Sequence, residues 1–587
     1  MGEIIKKISK ILELTLKIEI SESLIEKPKP ELGDYAFPCF SLAKELKKNP
    51  IEIAKDLSFK INNLNDPLFE KVESIGPYVN FFISKKYIAE TVLKEILLKK
   101  EKYGSQNNNE IVLIESPGPN TNKPLHLGHV RNILLGNSIV NIYKFLGYKT
   151  YRVDIINDRG IHICKSMLAY KIYGNNQMPD KKPDHFVGDF YVRYAIESEK
   201  HPEYEQMIQE MLVKWENNDE ETMKLWRKMT DWALQGFKET YQRYGVVMDK
   251  AYYESEHYKK GKEIVLDGLK KGIFFKDEKG NIVVDLTKQG LGKKVLLRND
   301  GTSIYITQDI ALGKIRYDDF KMDRMIYVVG NEQIHHFKAL FEIFKLLNYS
   351  FADKCYHLAY GMISLPEGKM KSRTGKVVDA DDLANNMHDL AKKELEKRYP
   401  ALVKDNPREL DNRAEKIAMS AIKYFILKYD PMKDFVFNPN ESLSFEGETG
   451  PYLQYTYARA SSVIKKSNKN ISEKSFSDKE LEKIDYNLLN TNEDRILINK
   501  LKDFPELIIK SAKEYSPAIL AKYLFELSQI FNEYYHKNKI IQNTNIQNTS
   551  NNNSLELEKA RLLLVEATKI VLKNGLNLLG IETLEEM

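Results

Sequence analysis

The sequence predicts an α/β protein built around a parallel sheet, with a smaller α/β region before it and a helical region after it. Three observations carry this. A short apolar run, Ile111 to Ile114, leads through a Pro- and Gly-rich loop to an apolar-periodic stretch from about Gly128 to Leu146, and a second apolar run follows from about Tyr148 to Ile155. Strand, loop, helix and strand in so short a span form the parallel unit whose strands are covered on both faces. The alternation recurs at 326–329 (strand) and at about 334–347 (helix). From about residue 385 to the end the periodicity is helical.

The elements before and between these follow from the same rules. Residues 1–104 read as a compact α/β unit. Phe40, Leu42, Ala43, Leu46, Ile51, Ile53, Leu57 and Ile61 give a helix-like pattern across 35–61, broken at Pro50. Tyr78 to Ile83 reads as a strand after the Gly76-Pro77 turn. The polar stretch 104–110 marks a boundary. Gly147 stands where a glycine beyond a helix C-terminus is expected. Helices are expected around 218–244 and 257–271, and a hairpin near Gly280-Asn281. Two polar stretches, 467–480 and the Asn/Thr-rich 542–554, interrupt the helical end, and the second reads as a mobile loop. The expected division is 1–104, 105–384, a helical connection at 385–450, and a helical domain at 451–587. No internal repeat is visible.

Composition sets outer limits. A chain of 587 residues exceeds what one core supports. With 42% hydrophobic and 29% charged residues it has the makeup of an ordinary globular protein. No run approaches the roughly 18 apolar residues of a membrane helix, and no secretory signal is visible, so a cytoplasmic protein with no membrane association is expected. Cys39, Cys164 and Cys355 are far apart and form no C-x-x-C pair, which predicts reduced thiols, no disulfide framework and no zinc site. A net charge of +5 permits a polyanionic partner without requiring one.

The most informative stretch is Glu115-Ser-Pro-Gly-Pro-Asn120-Thr-Asn-Lys123-Pro-Leu-His126-Leu-Gly128-His129. It leaves the C-terminal end of a buried strand, where open parallel sheets bind ligands. Gly128 would let a nucleotide approach the backbone. His126 and His129 at a helix start can offer imidazole donors to phosphate oxygens, alongside the helix amides and the charge of Lys123. A second stretch, Leu365-Pro-Glu-Gly-Lys369-Met370-Lys371-Ser372-Arg373-Thr374-Gly375-Lys376, concentrates cations in a loop able to stabilise charge developing on a triphosphate. Either alone is weak evidence, since short motifs recur by chance and basic loops are usually solvated surface.

Together the two stretches resemble the signature pair of class I aminoacyl-tRNA synthetases, the first the "HIGH" element and the second a "KMSKS"-like one. The surroundings are similar to the arginyl-tRNA synthetases of that class: Ser116-Pro-Gly-Pro-Asn120, Tyr305-Ile-Thr-Gln-Asp309, Gly330-Asn-Glu-Gln333, the 365–373 segment, and Gly447 through Arg459. So are Ala560 to Ala567, Leu572 to Gly580, and the N-terminal Gly33-Asp-Tyr-Ala and Gly76-Pro-Tyr-Val-Asn-Phe-Phe. The resemblance covers nearly the whole chain. It implies a Rossmann-type catalytic domain with an insertion at 105–384, an N-terminal tRNA-contacting domain, and a C-terminal all-α anticodon-binding domain. It also implies activation of L-arginine by ATP with Mg2+, then transfer to the 3′-terminal ribose 2′-hydroxyl of tRNA(Arg), by a protein expected to be a monomer. Bound tRNA is implied to be needed for the first step.

Motif by motif, the resemblance puts His126, Gly128, His129, Lys369 and Met370 at ATP. It makes His126, His129, Lys123, Lys369, Lys371 and Arg373 the groups acting on the phosphates. Glu115, Asn120, Tyr305, Asp309 and Gln333 fall where the family binds arginine. Carboxylate, carbonyl and hydroxyl acceptors suit a guanidinium, which has five donors and a permanent charge. Tyr78 and Asn80 are implied to touch the tRNA elbow. Tyr452, Tyr455 and Arg459 combine rings and charge in a way that suits unpaired bases, with Tyr523, Tyr534 and Tyr535 as later aromatics. Two departures stand out. A serine common in the family is Gly118 here, and the lysine usually fourth in the second signature is Ser372, which moves phosphate stabilisation towards Lys123. The competing readings are another class I synthetase, a small H-x-G-H nucleotidyltransferase, and a non-catalytic tRNA-binding relative. The acidic Glu115 and Asp309, the chain length, and the intact histidines and Lys123 respectively disfavour them.

Overall fold

The computed structural model describes residues 2–366, 378–467, 477–541 and 552–587. They form two compact units, each drawn from three stretches of sequence: Met1–Tyr103, Ala460–Asp503 and Gln529–Val571 in one, Gly104–Arg459, Phe504–Ser528 and Leu572–Met587 in the other.

The first unit holds an antiparallel sheet of β1 (Tyr35–Pro38), β2 (Phe69–Ile75) and β3 (Tyr78–Ile83), with β3 in the centre. The Gly76-Pro77 turn closes the β2–β3 hairpin at Ile75↔Tyr78. Ile8, Leu12, Phe37, Leu57, Ile61, Val79 and Phe81 pack together as its core. The helix-like pattern expected over 35–61 is corrected at its start. Tyr35–Pro38 is a strand because it pairs along β3, from Tyr35↔Phe81 to Pro38↔Tyr78, and tertiary pairing overrides a local period. Helices Phe40–Leu46 and Pro50–Asn63 follow. Pro50 separates them by opening the second: in the first turn its missing N–H is not needed, and the Asn49 side chain accepts from the Ile51 amide at 2.9 Å.

The second unit is organised by a five-stranded parallel sheet. In chain order its strands are β4 (Ile111–Glu115), β5 (Lys149–Ile156) and β6 (Lys250–Tyr253), then, after the antiparallel β7 (Phe275–Lys276), β8 (Ile282–Leu286) and β9 (Gly292–Leu297), β10 (Arg324–Gly330) and β11 (Cys355–Tyr360). The spatial order is β11-β10-β4-β5-β6, and every pair is parallel. The chain departs from β4 in one direction and returns on its other side through β10. The C-terminal ends of these two strands are therefore a topological switch point, where such sheets open a crevice for ligands. Val112, Leu113 and Ile114 are fully buried, as strands covered on both faces must be. The hairpin expected near Gly280-Asn281 is the β7–β8 turn, held by Asp277, which accepts from the amides of Lys279 and Asn281.

The helix Leu127–Phe145 crosses the sheet buried on nearly all sides and ends just before Gly147, whose φ of +81° suits a residue without Cβ. Arg131 lies in its second turn and is buried. Its guanidinium donates to four carbonyls: Gly361 (2.6 Å), Met362 (3.0 Å), Pro431 (2.9 Å) and Lys433 (2.8 Å). These hold together the short parallel pair β12 (Ile363–Ser364) and β13 (Phe435–Val436), a local exception to the helical character expected after 385. Periodicity could not reveal it, because a two-residue strand has none. Arg131→Met should destabilise the protein by about 3 kcal/mol, since it strands two buried and two part-buried acceptors at once. Chemical denaturation checks this, and a loss under about 0.5 kcal/mol would show that other donors replace it.

The C-terminal part is helical otherwise, including Ala380–Arg398, Pro407–Leu427, Gly450–Lys466, Pro517–Lys537 and Asn552–Leu578. Of the polar stretch 542–554, the last three residues open the final helix; residues 542–551, like 468–476, lie outside the described residues. No helix among the described residues is long and apolar enough to cross a membrane.

Candidate active site

β4 ends at Glu115, and the loop after it climbs to the helix Leu127–Phe145. Two backbone devices shape the loop. Gly118 takes φ +76°, which suits glycine better than the serine common at this place, and its amide donates to Asp154 at 2.7 Å. Asn120 forms a parallel bridge with Asn157 beyond the end of β5, extending the sheet past its edge. Asp154 is fully buried, and burial pushes its carboxyl up to about 7 although Gly118, Arg152 and Tyr241 oppose the shift.

His126 caps the helix and His129 lies one turn in, their rings 3.9 Å apart. His126 Nδ1 accepts from the Gly128 amide at 3.2 Å, and His129 Nδ1 accepts from the His126 amide at 3.1 Å. Each accepting Nδ1 is unprotonated, so each neutral ring carries its proton on Nε2. Burial, followed by the charge of Lys123, brings His126 down to about 4; burial, His126 and Lys123 hold His129 well below the ordinary value. At neutral pH the site therefore offers two uncharged Nε2–H donors with Lys123 as the nearby cation. Lys123 is itself lowered by burial. The glycine between the histidines has a role beyond the one expected of it: a Cβ at Gly128 would lie 3.1 Å from His126 Cε1 and press on the ring.

The acidic groups are Glu115, at the end of β4, and Asp309 within its electrostatic reach. Glu115 is buried and forms an ion pair with Arg316 Nη1, whose side chain is completely enclosed. Asp309, on the helix Tyr305–Phe320, meets His336 Nε2 at 2.6 Å, and Gln308 beside it donates to Glu254 at 2.8 Å. Burial above all, with Asp309, holds the Glu115 carboxyl above its ordinary value against the opposing charge of Arg316, which places the two carboxylates within electrostatic reach of each other. Tyr305 opens the helix with 74% of its surface exposed, and Gln333 is exposed on the short turn after β10. Arg316 and His336 were missed in the sequence. Arg316 was legible in principle, because it follows Asp309 by two helical turns and so shares its face.

Lys369, Met370, Lys371 and Arg373 lie outside the described residues. The chain just after them is pinned to the first signature: the Leu127 amide donates to Val378 O at 2.8 Å, and the Ala380 amide to Leu125 O at 2.9 Å. Nearby, Asp184, His185 and Asp381 come close enough together to suggest a cation site. Lys182 Nζ already sits there, 2.7 Å from Asp381 and 3.0 Å from Asp184.

The expected tRNA contacts are divided. Tyr78 is half-buried and meets Phe40 edge-on, with ring centres 5.7 Å apart. Asn80 is only 2% exposed, because it lies in the central strand between Ala36 and Glu73, so a direct surface contact is not open to it. Tyr452, Tyr455 and Arg459 are half-buried on the helix Gly450–Lys466, where Arg459 donates to the Tyr455 hydroxyl at 2.7 Å. Tyr523 and Tyr534 are core residues, and only Tyr535 of the later aromatics reaches the surface.

A parallel sheet with a switch point, a His-x-Gly-His helix after its central strand and an acidic Glu115–Asp309 pair at that strand's end are the features of a class I aminoacyl-tRNA synthetase catalytic domain. The model for tRNA synthetases class I (R), catalytic domain, matches residues 92–439, the DALR anticodon binding domain matches 453–587, and the arginyl tRNA synthetase N terminal domain matches 2–83. The chain belongs to the arginyl-tRNA synthetase family. It is 45% identical to the arginine–tRNA ligase of Treponema denticola, covering 95% of this chain and 94% of that one, and 40% identical to that of Borrelia duttonii, covering 99% and 98%. Its structure is similar to that of Thermus thermophilus arginyl-tRNA synthetase, with a TM-score of 0.76 at 28% identity, over 100% of this chain and 99% of that one.

Proposed function

We propose that this protein is an arginine–tRNA ligase that activates L-arginine with ATP to arginyl-adenylate and transfers the arginyl group to the 3′-terminal ribose of tRNA(Arg). One observation carries the reading: the loop leaving the end of β4 joins Glu115 to the phosphate-type donors His126 and His129, and Asp309 stands within electrostatic reach of Glu115. The arginine carboxylate attacks the α-phosphorus of ATP, and pyrophosphate leaves. That carboxylate is already ionised, so the step needs no protein nucleophile, only alignment and charge stabilisation. The Nε2–H groups of His126 and His129 and the ammonium of Lys123 supply donors and charge at the phosphates. Lys369, Lys371 and Arg373, with Mg2+ carried by the nucleotide, add charge. Asp309 and Glu115 meet the positive side of the amino acid, and Asn120, Tyr305 and Gln333 add neutral polar contacts. The 2′-hydroxyl of the tRNA terminus then attacks the adenylate carbonyl, and AMP leaves. Tyr78, Tyr452, Tyr455 and Arg459 are the candidate contacts to tRNA. Supporting this reading are the family to which the chain belongs and an acidic pocket suited to a cationic amino acid.

The test is aminoacylation of unfractionated tRNA with each labelled amino acid in turn. Arginine alone should be esterified, with ATP consumed to AMP and pyrophosphate. Charging with another amino acid, or none with arginine, would overturn the proposal.

A further inference from the structure

The pocket proposed for arginine contains one cation too many for a simple acidic site, and that cation belongs to the protein. Glu115 ends the central strand β4 and Asp309 lies within electrostatic reach of it, yet the guanidinium of Arg316 is already paired with Glu115. Arg316 has no route to solvent: it is fully buried, 5.3 Å from the ring centre of Tyr252 and 5.8 Å from that of Tyr327. None of its three nitrogens has a well-aligned hydrogen-bond acceptor among the described residues, so the ion pair with Glu115 is what holds its charge. A guanidinium held this way cannot swing out to make room for another one, because leaving Glu115 would strand it in an apolar cage.

We propose that Arg316 is a specificity-determining positioning residue that sets the charge of the amino-acid pocket. By pairing with Glu115 it keeps that carboxylate ionised and in place to meet the positive side of the amino acid, beside Asp309 and the Arg159-paired Glu254. The inference rests on the arginine-binding reading and deepens it. Without Arg316 the buried Glu115 would face the half-buried Asp309 with no cation between them, an arrangement in which the buried carboxylate takes up a proton. The groups facing Glu115 from neighbouring elements are Arg316 and Asp309 on the helix Tyr305–Phe320, Tyr327 on β10, and Asp154 on β5, the last interacting through its charge. Of these only Arg316 is positive, so only it can hold Glu115 ionised. His336, the partner of Asp309, is one shell further out.

The proposal makes a distinctive pH statement. In the wild-type enzyme Glu115 is ionised whether or not the amino acid is bound, so the KM for arginine should not depend on Glu115 titration between about pH 7 and 8.5. In Arg316→Met, Glu115 should hold a proton in the empty pocket and lose it when the cationic amino acid arrives. Arginine binding then becomes coupled to proton release. Its KM should be raised at least about tenfold at neutral pH and should fall by up to about tenfold per pH unit on going alkaline, while the KM for ATP stays within about twofold. Arg316→Lys should restore the flat profile, because an ammonium can also hold Glu115 ionised.

The measurement is arginine-dependent ATP–pyrophosphate exchange of the full chain with tRNA present, at several pH values, for wild type, Arg316→Met and Arg316→Lys. A raised but pH-flat KM in Arg316→Met would show that Arg316 only packs the pocket and would overturn the proposal, as would an unchanged KM. Should Arg316→Met fail to fold, Arg316→Gln is read by the same slope. The wild-type profile is itself decisive, since an arginine KM that fell about tenfold per pH unit in the same window would mean that Glu115 titrates despite Arg316. If wild type showed no arginine-dependent exchange at all, the arginine reading itself would fail, an outcome distinct from these.

Discussion

His129→Ala should lose about two to three orders of magnitude in ATP–pyrophosphate exchange while binding tRNA as tightly as wild type. The reason is local. His129 Nδ1 is occupied by the His126 amide, so the group left to it for chemistry is its Nε2–H. Two further variants separate that donor from the helix cap. In His129→Asn the side-chain oxygen can stand where Nδ1 stood and keep the cap, yet no donor replaces Nε2–H; this variant should be as inactive as the alanine. His129→Gln places its amide nitrogen closer to the Nε2 position and should retain more activity than either. Exchange rates with tRNA present and a tRNA filter-binding assay check this together. Wild-type exchange in His129→Ala would remove the imidazole from phosphate stabilisation, and loss of tRNA binding would show that the substitution had damaged more than the site.

Asp309→Asn should raise the KM for arginine by about ten- to a hundredfold with little change in the KM for ATP, since it converts a charge-assisted contact to a neutral one without changing its shape. The asparagine oxygen can still accept from His336 at the present 2.6 Å geometry, so the pocket wall should stay in place. Steady-state exchange against arginine concentration reads this directly. An unchanged arginine KM would take Asp309 out of the pocket and leave the cation to another group.

Much of this is legible in the sequence. The first strand, its helix and the next strand were readable because burial on both faces leaves an unbroken apolar signature, and Gly147 marked the helix end by its backbone demand. The hairpin at Gly280-Asn281 was readable from turn chemistry. Tyr35–Pro38 was not, because four residues cannot express a period and their state is decided by pairing with β3. The histidines, Lys123, Glu115 and Asp309 stand in the sequence as motifs. What the sequence did not expose is who holds them. The pairing of Glu115 with Arg316, some two hundred residues away, and of Asp309 with His336 on a different element are properties of the folded sheet edge. The neutral Nε2–H state of both histidines likewise needs the backbone geometry of the helix start, which a motif does not encode. Asn80 shows the opposite hazard: a residue that reads as a surface contact is, in the fold, the inside of a central strand.

The central claim is that this sheet edge holds ATP beside a side chain whose positive charge is permanent. Citrulline tests it most directly, having the size and shape of arginine with a neutral urea in place of the guanidinium. In ATP–pyrophosphate exchange with tRNA present, arginine should be preferred over citrulline by at least about a thousandfold in kcat/KM, because the urea makes no charged pair with Asp309 or the buried Glu115. Comparable rates with the two amino acids would contradict the assignment of the acidic pocket to a guanidinium.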